Sequence, residues 1–248
     1  YTWYSDDTLI ADAQSSFYRL TQDDVDNIIS AKINFKDGYG TDEELSLISE
    51  VAVENVNNLP TGAIEITGTN KQLETLLINN SLNDLDGLGD FTTQWFRDDI
   101  LTVETGTSYI LGQADVGKKI TAVVEYDDGF GNFHSVSSLP TEVILNQNDD
   151  PTGKVSISGD PTQGNMLFAS STLTDLDGLG DLNYQWLRSG LIIEGATNPS
   201  YSLVQADVGS KISVRASYVD GFDNPETSTS EITLQVANIN DEPTGSFL

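Results

Sequence analysis

The chain contains no cysteine, one histidine (His134) and one methionine (Met166). Without cysteine there is no disulfide framework, no thiolate nucleophile and no Cys-rich zinc site, and one histidine cannot build a multi-His metal centre. Positive charge is scarce: 11 Lys and Arg stand against 39 Asp and Glu, a formal net charge of −28. Phosphate backbones and anionic membrane surfaces demand a basic footprint, so this balance speaks against nucleic acid as a partner. Apolar runs are short, such as Leu191-Ile192-Ile193, far from the roughly 20 residues that cross a bilayer. No signal peptide is visible, and the chain opens on Tyr1 rather than Met, which reads as an internal piece of something longer.

What is present is aspartate. Of the 39 acids, 26 are Asp and 13 are Glu. Asp is poor in strands and helices but good in turns and as a ligand for hard cations. The hydrophobic share of 38% and the 8% aromatics suffice for small cores and argue against disorder.

The chain repeats itself. Asp84-Leu85-Asp86-Gly87-Leu88-Gly89-Asp90 recurs from Asp175 to Asp181, an offset of 175 − 84 = 91. Gln94-Trp95 recurs as Gln185-Trp186, and Gln113 to Gly117 recurs as Gln205 to Gly209. Asn-x-Asn-x-x-Pro-Thr-Gly begins at Asn55, Asn146 and Asn238. Trp3, Tyr18, Gln22, Asp24 and Asp37 fit the same frame. Residues 1–58 therefore read as the latter part of one repeat, 59–149 and 150–240 as complete repeats of about 90 residues, and 241–248 as the start of a fourth.

Within a repeat the apolar period is two. Leu182, Tyr184 and Trp186 alternate with polar residues, as do Ile212, Val214, Ala216 and Tyr218, and then Ile232, Leu234 and Val236. That is the pattern of half-buried strands. About seven short strands per repeat predict an all-β chain of tandem antiparallel β-sandwich modules, immunoglobulin-like or cadherin-like in architecture, with Trp95 and Trp186 on the third strand of each. Pro140 falls in the expected last strand of the second repeat, which marks an edge or a bulge.

The heptad sets three carboxylates around two glycines. Such anions repel, and a hard cation removes that cost; alternating Asp with a Gly for the sharp turn suits Ca2+. The bland alternative is a solvated Asp/Gly turn. The candidate ligands are Asp84, Asp86, Asp90, Asp175, Asp177 and Asp181. In an immunoglobulin-like sandwich the hairpin acids Asp128 and Asp220 and the incoming linker lie at the same end as this loop. Asn148 and Asp149 are then expected to meet Asp175, Asp177 and Asp220. Asp115, with Asp24 and Asp207 as its counterparts, is expected at the far end of the preceding module, facing the same linker.

The linker Asn146-Gln147-Asn148-Asp149-Asp150-Pro151 resembles the calcium-binding linker of cadherins, with its proline one residue early. The resemblance carries the central Asn-Asp onto Asn148 and Asp149, and onto Asn240 and Asp241. The first linker, Asn57-Asn58-Leu59, has lost both acids, and weaker calcium binding is expected there. Together with Tyr184-Gln185-Trp186-Leu187-Arg188, Gly195-Ala196-Thr197 and Ala206-Asp207-Val208-Gly209, the pattern is similar to the repeats of giant bacterial calcium-dependent surface adhesins of the RTX or biofilm-associated type. That resemblance implies extracellular display, a calcium-rigidified stalk, neighbouring repeats as partners, and a cell-surface or matrix ligand bound elsewhere in the protein.

Other residues read more plainly. Trp95 and Trp186 are expected in cores rather than as sugar-stacking platforms. His134, without a repeated counterpart, is expected to be an ordinary exposed loop histidine. Arg97 and Arg188 are expected to pair with surface acids. Acids that recur in every module suit scaffolding better than catalysis, so no catalytic residue is assigned. The expected function is a non-enzymatic extender region of a surface adhesin. The rival is a ligand- or carbohydrate-binding accessory module of a secreted protein, which needs an exposed aromatic platform.

Overall fold

The computed structural model of the chain describes residues 1–240. The expected fourth repeat at 241–248, and with it Asp241, lies outside the described residues. In the stretch 1–58 the strands are β1 (Thr2–Ser5), β2 (Thr8–Leu9), β3 (Ile29–Lys36) and β4 (Asp42–Ile48). The second stretch holds β5 (Ile64–Thr67), β6 (Thr75–Asn80), β7 (Thr92–Arg97), β8 (Ile100–Thr105), β9 (Ser108–Ile110), β10 (Ile120–Asp127) and β11 (Phe133–Ser137). The third holds β12 (Val155–Ser158), β13 (Met166–Ser171), β14 (Asn183–Arg188), β15 (Leu191–Ile192), β16 (Ser200–Ser202), β17 (Ile212–Val219) and β18 (Pro225–Thr229). Single 3₁₀ turns stand at Gln22–Asp24, Gln113–Asp115 and Gln205–Asp207.

The chain is all-β, and each complete repeat is an antiparallel β-sandwich. Sheets β5-β6-β9 and β11-β10-β7-β8 make one sandwich; β12-β13-β16 and β15-β14-β17-β18 make the other. The stretch 1–58 supplies the single sheet β2-β1-β3-β4. Register follows the apolar alternation. Trp95 stands opposite Ala122 and Trp186 opposite Val214, so the same face of neighbouring strands turns inward. Both Trp side chains are 0% exposed. Around Trp186 pack Leu167, Leu203, Ile212, Val214 and Ala216, drawn from both sheets. Around Trp95 pack Leu76, Tyr109, Leu111, Ile120 and Ile144. The sugar-stacking reading loses its platform here.

The chain divides into two compact units. The first comprises Tyr1–Asn70, Glu74–Leu111 and Gly117–Ile144; the second comprises Lys71–Leu73, Gly112–Val116 and the chain from Leu145 onward. Short segments of residues 59–149 thus cluster with the linker that follows them.

The last predicted strand of each repeat is not a regular ladder. In the third repeat the Ser230 hydroxyl takes the Val214 amide at 3.0 Å, and the Thr233 hydroxyl takes the Ile212 amide at 3.0 Å. Beyond them only isolated parallel bridges remain, Val208 with Val236 and Thr162 with Ala237. Ser138 and Thr141 do the same for Ala122 and Ile120, with Pro140 between them outside any strand. Hydroxyl acceptors replace carbonyls, so the backbone leaves the pleat while β10 and β17 keep their amides satisfied.

Candidate metal centre at the acidic loops and linkers

The heptad is first of all a turn. Asp84 Oδ1 accepts the Asp86 amide at 3.0 Å and its Oδ2 accepts the Tyr126 hydroxyl at 2.7 Å. Asp175 takes the Asp177 amide at 2.8 Å and the Tyr218 hydroxyl in the same way. Burial and the adjacent Asp175 carboxylate push the Tyr218 phenol well above its ordinary value. Gly87 and Gly178 have φ of +99° and +104°, the left-handed region where a side chain is strained. A Cβ on Gly89 would lie 2.2 Å from the Asp127 carbonyl oxygen, and one on Gly180 2.1 Å from that of Val219. The first Asp and both glycines therefore recur because the loop is laid directly against β10 or β17.

Five more of the expected ligands are occupied by donors. Asp220 Oδ1 accepts the amides of Phe222 and Asn224 at 2.8 and 2.7 Å, and its Oδ2 accepts Asn224 Nδ2 at 2.9 Å. Asp128 does the same with Phe130 and Asn132. Burial alone would raise the Asp220 carboxyl, but the hydrogen bonds from Asn224 and Phe222 outweigh it and hold it below the usual range. Asp24 reaches back from its 3₁₀ turn to the Thr21 amide at 2.8 Å and takes the Tyr18 hydroxyl at 2.9 Å. Asp115 accepts the Gly112 amide at 2.7 Å. Asp207 accepts the Val204 amide at 2.7 Å, the Tyr201 hydroxyl at 3.0 Å and Arg188 Nε at 2.7 Å. Arg188 thus pairs with a fully buried acid, not a surface one. Arg97 Nη2 donates to the Tyr109 hydroxyl at 3.2 Å.

Asp90, Asp181, Asn57 and Asn240 are exposed. Asn148 is exposed too and donates to Glu226 Oε1 at 2.9 Å, rather than meeting the Asp loop.

What remains is a meeting of linker and loop. In the second unit, the Asp149 amide donates to Asp177 Oδ2 at 2.7 Å. Gln72 Nε2 donates to Asp149 Oδ2 at 2.7 Å, and Gln72 Oε1 accepts the Gln147 amide at 3.1 Å. In the first unit the Asn58 amide donates to Asp86 Oδ2. There Asn58 Nδ2 also bridges Asp86 Oδ1 and Gln22 Oε1, each at 3.3 Å, and Gln22 Nε2 donates to Asn55 Oδ1 at 3.0 Å.

Among the described residues four buried side-chain atoms lack a partner: Asp177 Oδ1, Gln113 Oε1, Asn146 Oδ1 and His134 Nε2. The first three are oxygens from the loop, the preceding repeat and the linker, all in the second unit. Buried acceptors without donors are costly, and a hard cation is what unpaired carboxylate and amide oxygens can serve. The fit to Ca2+ rests on that chemistry. Among the described residues no group of three or more His, Cys, Asp or Glu stands ready to hold a metal.

His134 overturns the expectation of an exposed loop position. It sits on β11, 6% exposed, with its ring stacked 5.1 Å from that of Tyr126. Its Nε2 lies 3.6 Å from Asp84 Oδ2 and from Asp128 Oδ2, beyond hydrogen-bond distance. Gln22, Gln72, Gln113 and Glu226 are the contributors that the Asp pattern did not reveal. Gln22, Gln113 and Gln205 do share one repeat position, which is the signal that marks them.

No family model matches the chain, and no curated protein matches it. Among solved structures it is similar to a Ca2+-stabilized adhesin that helps an Antarctic bacterium reach out and bind ice, at 12% identity and TM-score 0.34, covering 86% of this chain and 57% of that one. It is similar to a 1.5-MDa bacterial ice-binding adhesin at 11% identity and TM-score 0.30, covering 87% of this chain and 76% of that one. It is also similar to a tetra-tandem repeat in the extending region of a large adhesion protein, at 16% identity and TM-score 0.28, covering 83% of this chain and 56% of that one. Likeness of this grade carries no argument about what the present chain binds.

Proposed function

We propose that this chain is a non-enzymatic extender segment of a bacterial surface adhesin, displayed outside the cell, in which calcium holds linkers against acidic loops. Asp177 Oδ1 carries the reading. It is an unpartnered oxygen on a carboxylate only 4% exposed, with the Asp149 backbone beside it. Asp149, Asp177, Gln113 and Asn146 would hold the ion. When bound, it supplies positive charge where the chain offers acceptors without donors. Asp84, Asp128, Asp175 and Asp220 hold turns, and Asp24, Asp115 and Asp207 cap 3₁₀ turns. The partners in this reading are the neighbouring repeats, and a surface ligand would be bound elsewhere in the protein.

Functional logic follows from filling. Extracellular calcium modules have dissociation constants of about 10⁻⁴ to 10⁻³ M, so millimolar calcium fills a site at the tight end of that range. Ten-fold saturation adds about 1.4 kcal/mol of stability. Against small-domain margins of about 5–10 kcal/mol that is a substantial share. Small-angle scattering with millimolar calcium and then with chelator tests the reading. A larger maximum dimension with calcium is expected. A profile indifferent to calcium would sink it and turn the search to a binding surface.

A further inference from the structure

We propose that Asn58 does at the first linker the work a cation does at the second, so that the chain carries one junction that closes without metal and one that requires it. The cation half rests on the calcium reading above; the amide half stands on the hydrogen bonds alone.

The two junctions are built from the same repeat positions. An offset of 91 relates Gln22 to Gln113, Asn55 to Asn146, Asn58 to Asp149 and Asp86 to Asp177. In both, the linker amide donates to Oδ2 of the loop carboxylate. In the first, the two hydrogens of Asn58 Nδ2 are shared among three acceptors, the Val56 carbonyl at 3.1 Å and Asp86 Oδ1 and Gln22 Oε1 at 3.3 Å each. The counterparts of the last two, Asp177 Oδ1 and Gln113 Oε1, are two of the buried atoms left without a partner. The cause is one substitution in the repeat. Asparagine brings two donors to this position; ionised aspartate brings none and adds a negative charge.

The consequence is a change of chemistry, not only of strength. At the first junction one carboxylate, Asp86, is satisfied by the neighbouring amide. At the second, the Asp149 amide holds the Asp177 carboxylate, so the linker brings a second acid to the loop, and Gln113 and Asn146 of the same unit carry unpartnered amide oxygens. A divalent cation balances two carboxylates, and it accepts amide oxygens as ligands. Gln72 helps to hold Asp149 in place from one side through its Oδ2. A chain that alternates the two kinds of junction stiffens in calcium only where Asp stands.

The test exchanges the two residues in the full chain, as Asn58→Asp and Asp149→Asn. Calcium stoichiometry is read by calorimetric titration and melting temperature in chelator and in calcium. For Asp149→Asn the expected result is one ion fewer per chain and a higher melting temperature in chelator. For Asn58→Asp it is one ion more and a lower melting temperature in chelator that calcium restores. Where the wild-type chain binds calcium, unchanged stoichiometry in Asp149→Asn overturns the proposal, and so does a lower melting temperature in chelator. If the wild-type chain binds no calcium but Asp149→Asn is still stabilised in chelator, the extender reading fails and the role of the amide stands. If neither occurs, both fail.

Discussion

Asp207 is fully buried and takes donors from Val204, Tyr201 and Arg188. Its ion pair is therefore not of the exposed kind, which contributes about 0–1 kcal/mol. Removing Arg188 leaves a buried charge that has lost its cation but keeps a hydroxyl and an amide. Arg188→Ala is expected to cost about 2–3 kcal/mol, read as a shift of the urea midpoint. Arg188→Lys is expected to fall between, since Lys keeps the charge but not the planar donor fork. A loss below about 0.5 kcal/mol would mean that the other two donors suffice. The expectation of a minor surface pair failed because an Asp in a polar sequence context gives no sign of burial. Its burial follows from Asp207 standing inside a 3₁₀ turn whose amide it must cap. His134 is the same lesson in reverse. Nothing in the repeat frame marks it, yet β11 turns it inward against Tyr126.

At the scale of elements, the acidic heptad is held against the strand beside it by its glycines. Gly180→Ala would drive a Cβ to 2.1 Å from the Val219 carbonyl oxygen, and backbone cannot swing aside as a side chain can. The expected cost is about 1–3 kcal/mol. Gly38→Ala is the control, because a Cβ there meets nothing within 4 Å; a change within about 0.5 kcal/mol is expected. Equal melting temperatures for the two variants would mean that the loop does not bear on β17. This also explains what could be read from the sequence. Alternation placed Trp95 and Trp186 on core strands, since a half-buried strand writes its period into the residues. The heptad announced a special loop, but its recurrence has two causes that a sequence does not separate. Asp84 and Asp175 serve tyrosines and a turn; Asp86 and Asp177 serve the linker. Gln22 and Gln113 share a repeat position, but an amide in polar company does not announce that it completes a junction. The last strand was overread because Ile232, Leu234 and Val236 alternate, while Ser230 and Thr233 take the ladder's place through their hydroxyls.

For the molecule as a whole, a net charge of −28 means that any added cation should help by screening, and a specific site must be told apart from that. Screening depends on ionic strength: the Debye length is about 30 Å at 0.01 M and about 10 Å at 0.1 M. It acts on all 39 acids and has no saturation point. A site of two carboxylates with amide oxygens saturates, and it prefers calcium. Magnesium demands near-ideal octahedral geometry and sheds water reluctantly. With two compact units in the chain, melting need not be a single step. The expected result in low salt is therefore a rise in melting temperature that saturates with calcium and falls chiefly on one transition, the one that reports the second unit. Magnesium at the same concentration should give a smaller rise, and sodium chloride at matched ionic strength a small, unsaturating one spread over the whole melt. If sodium chloride at matched ionic strength reproduces the calcium effect, the acidity acts as diffuse charge, and the oxygens around Asp177 are served by water rather than by metal.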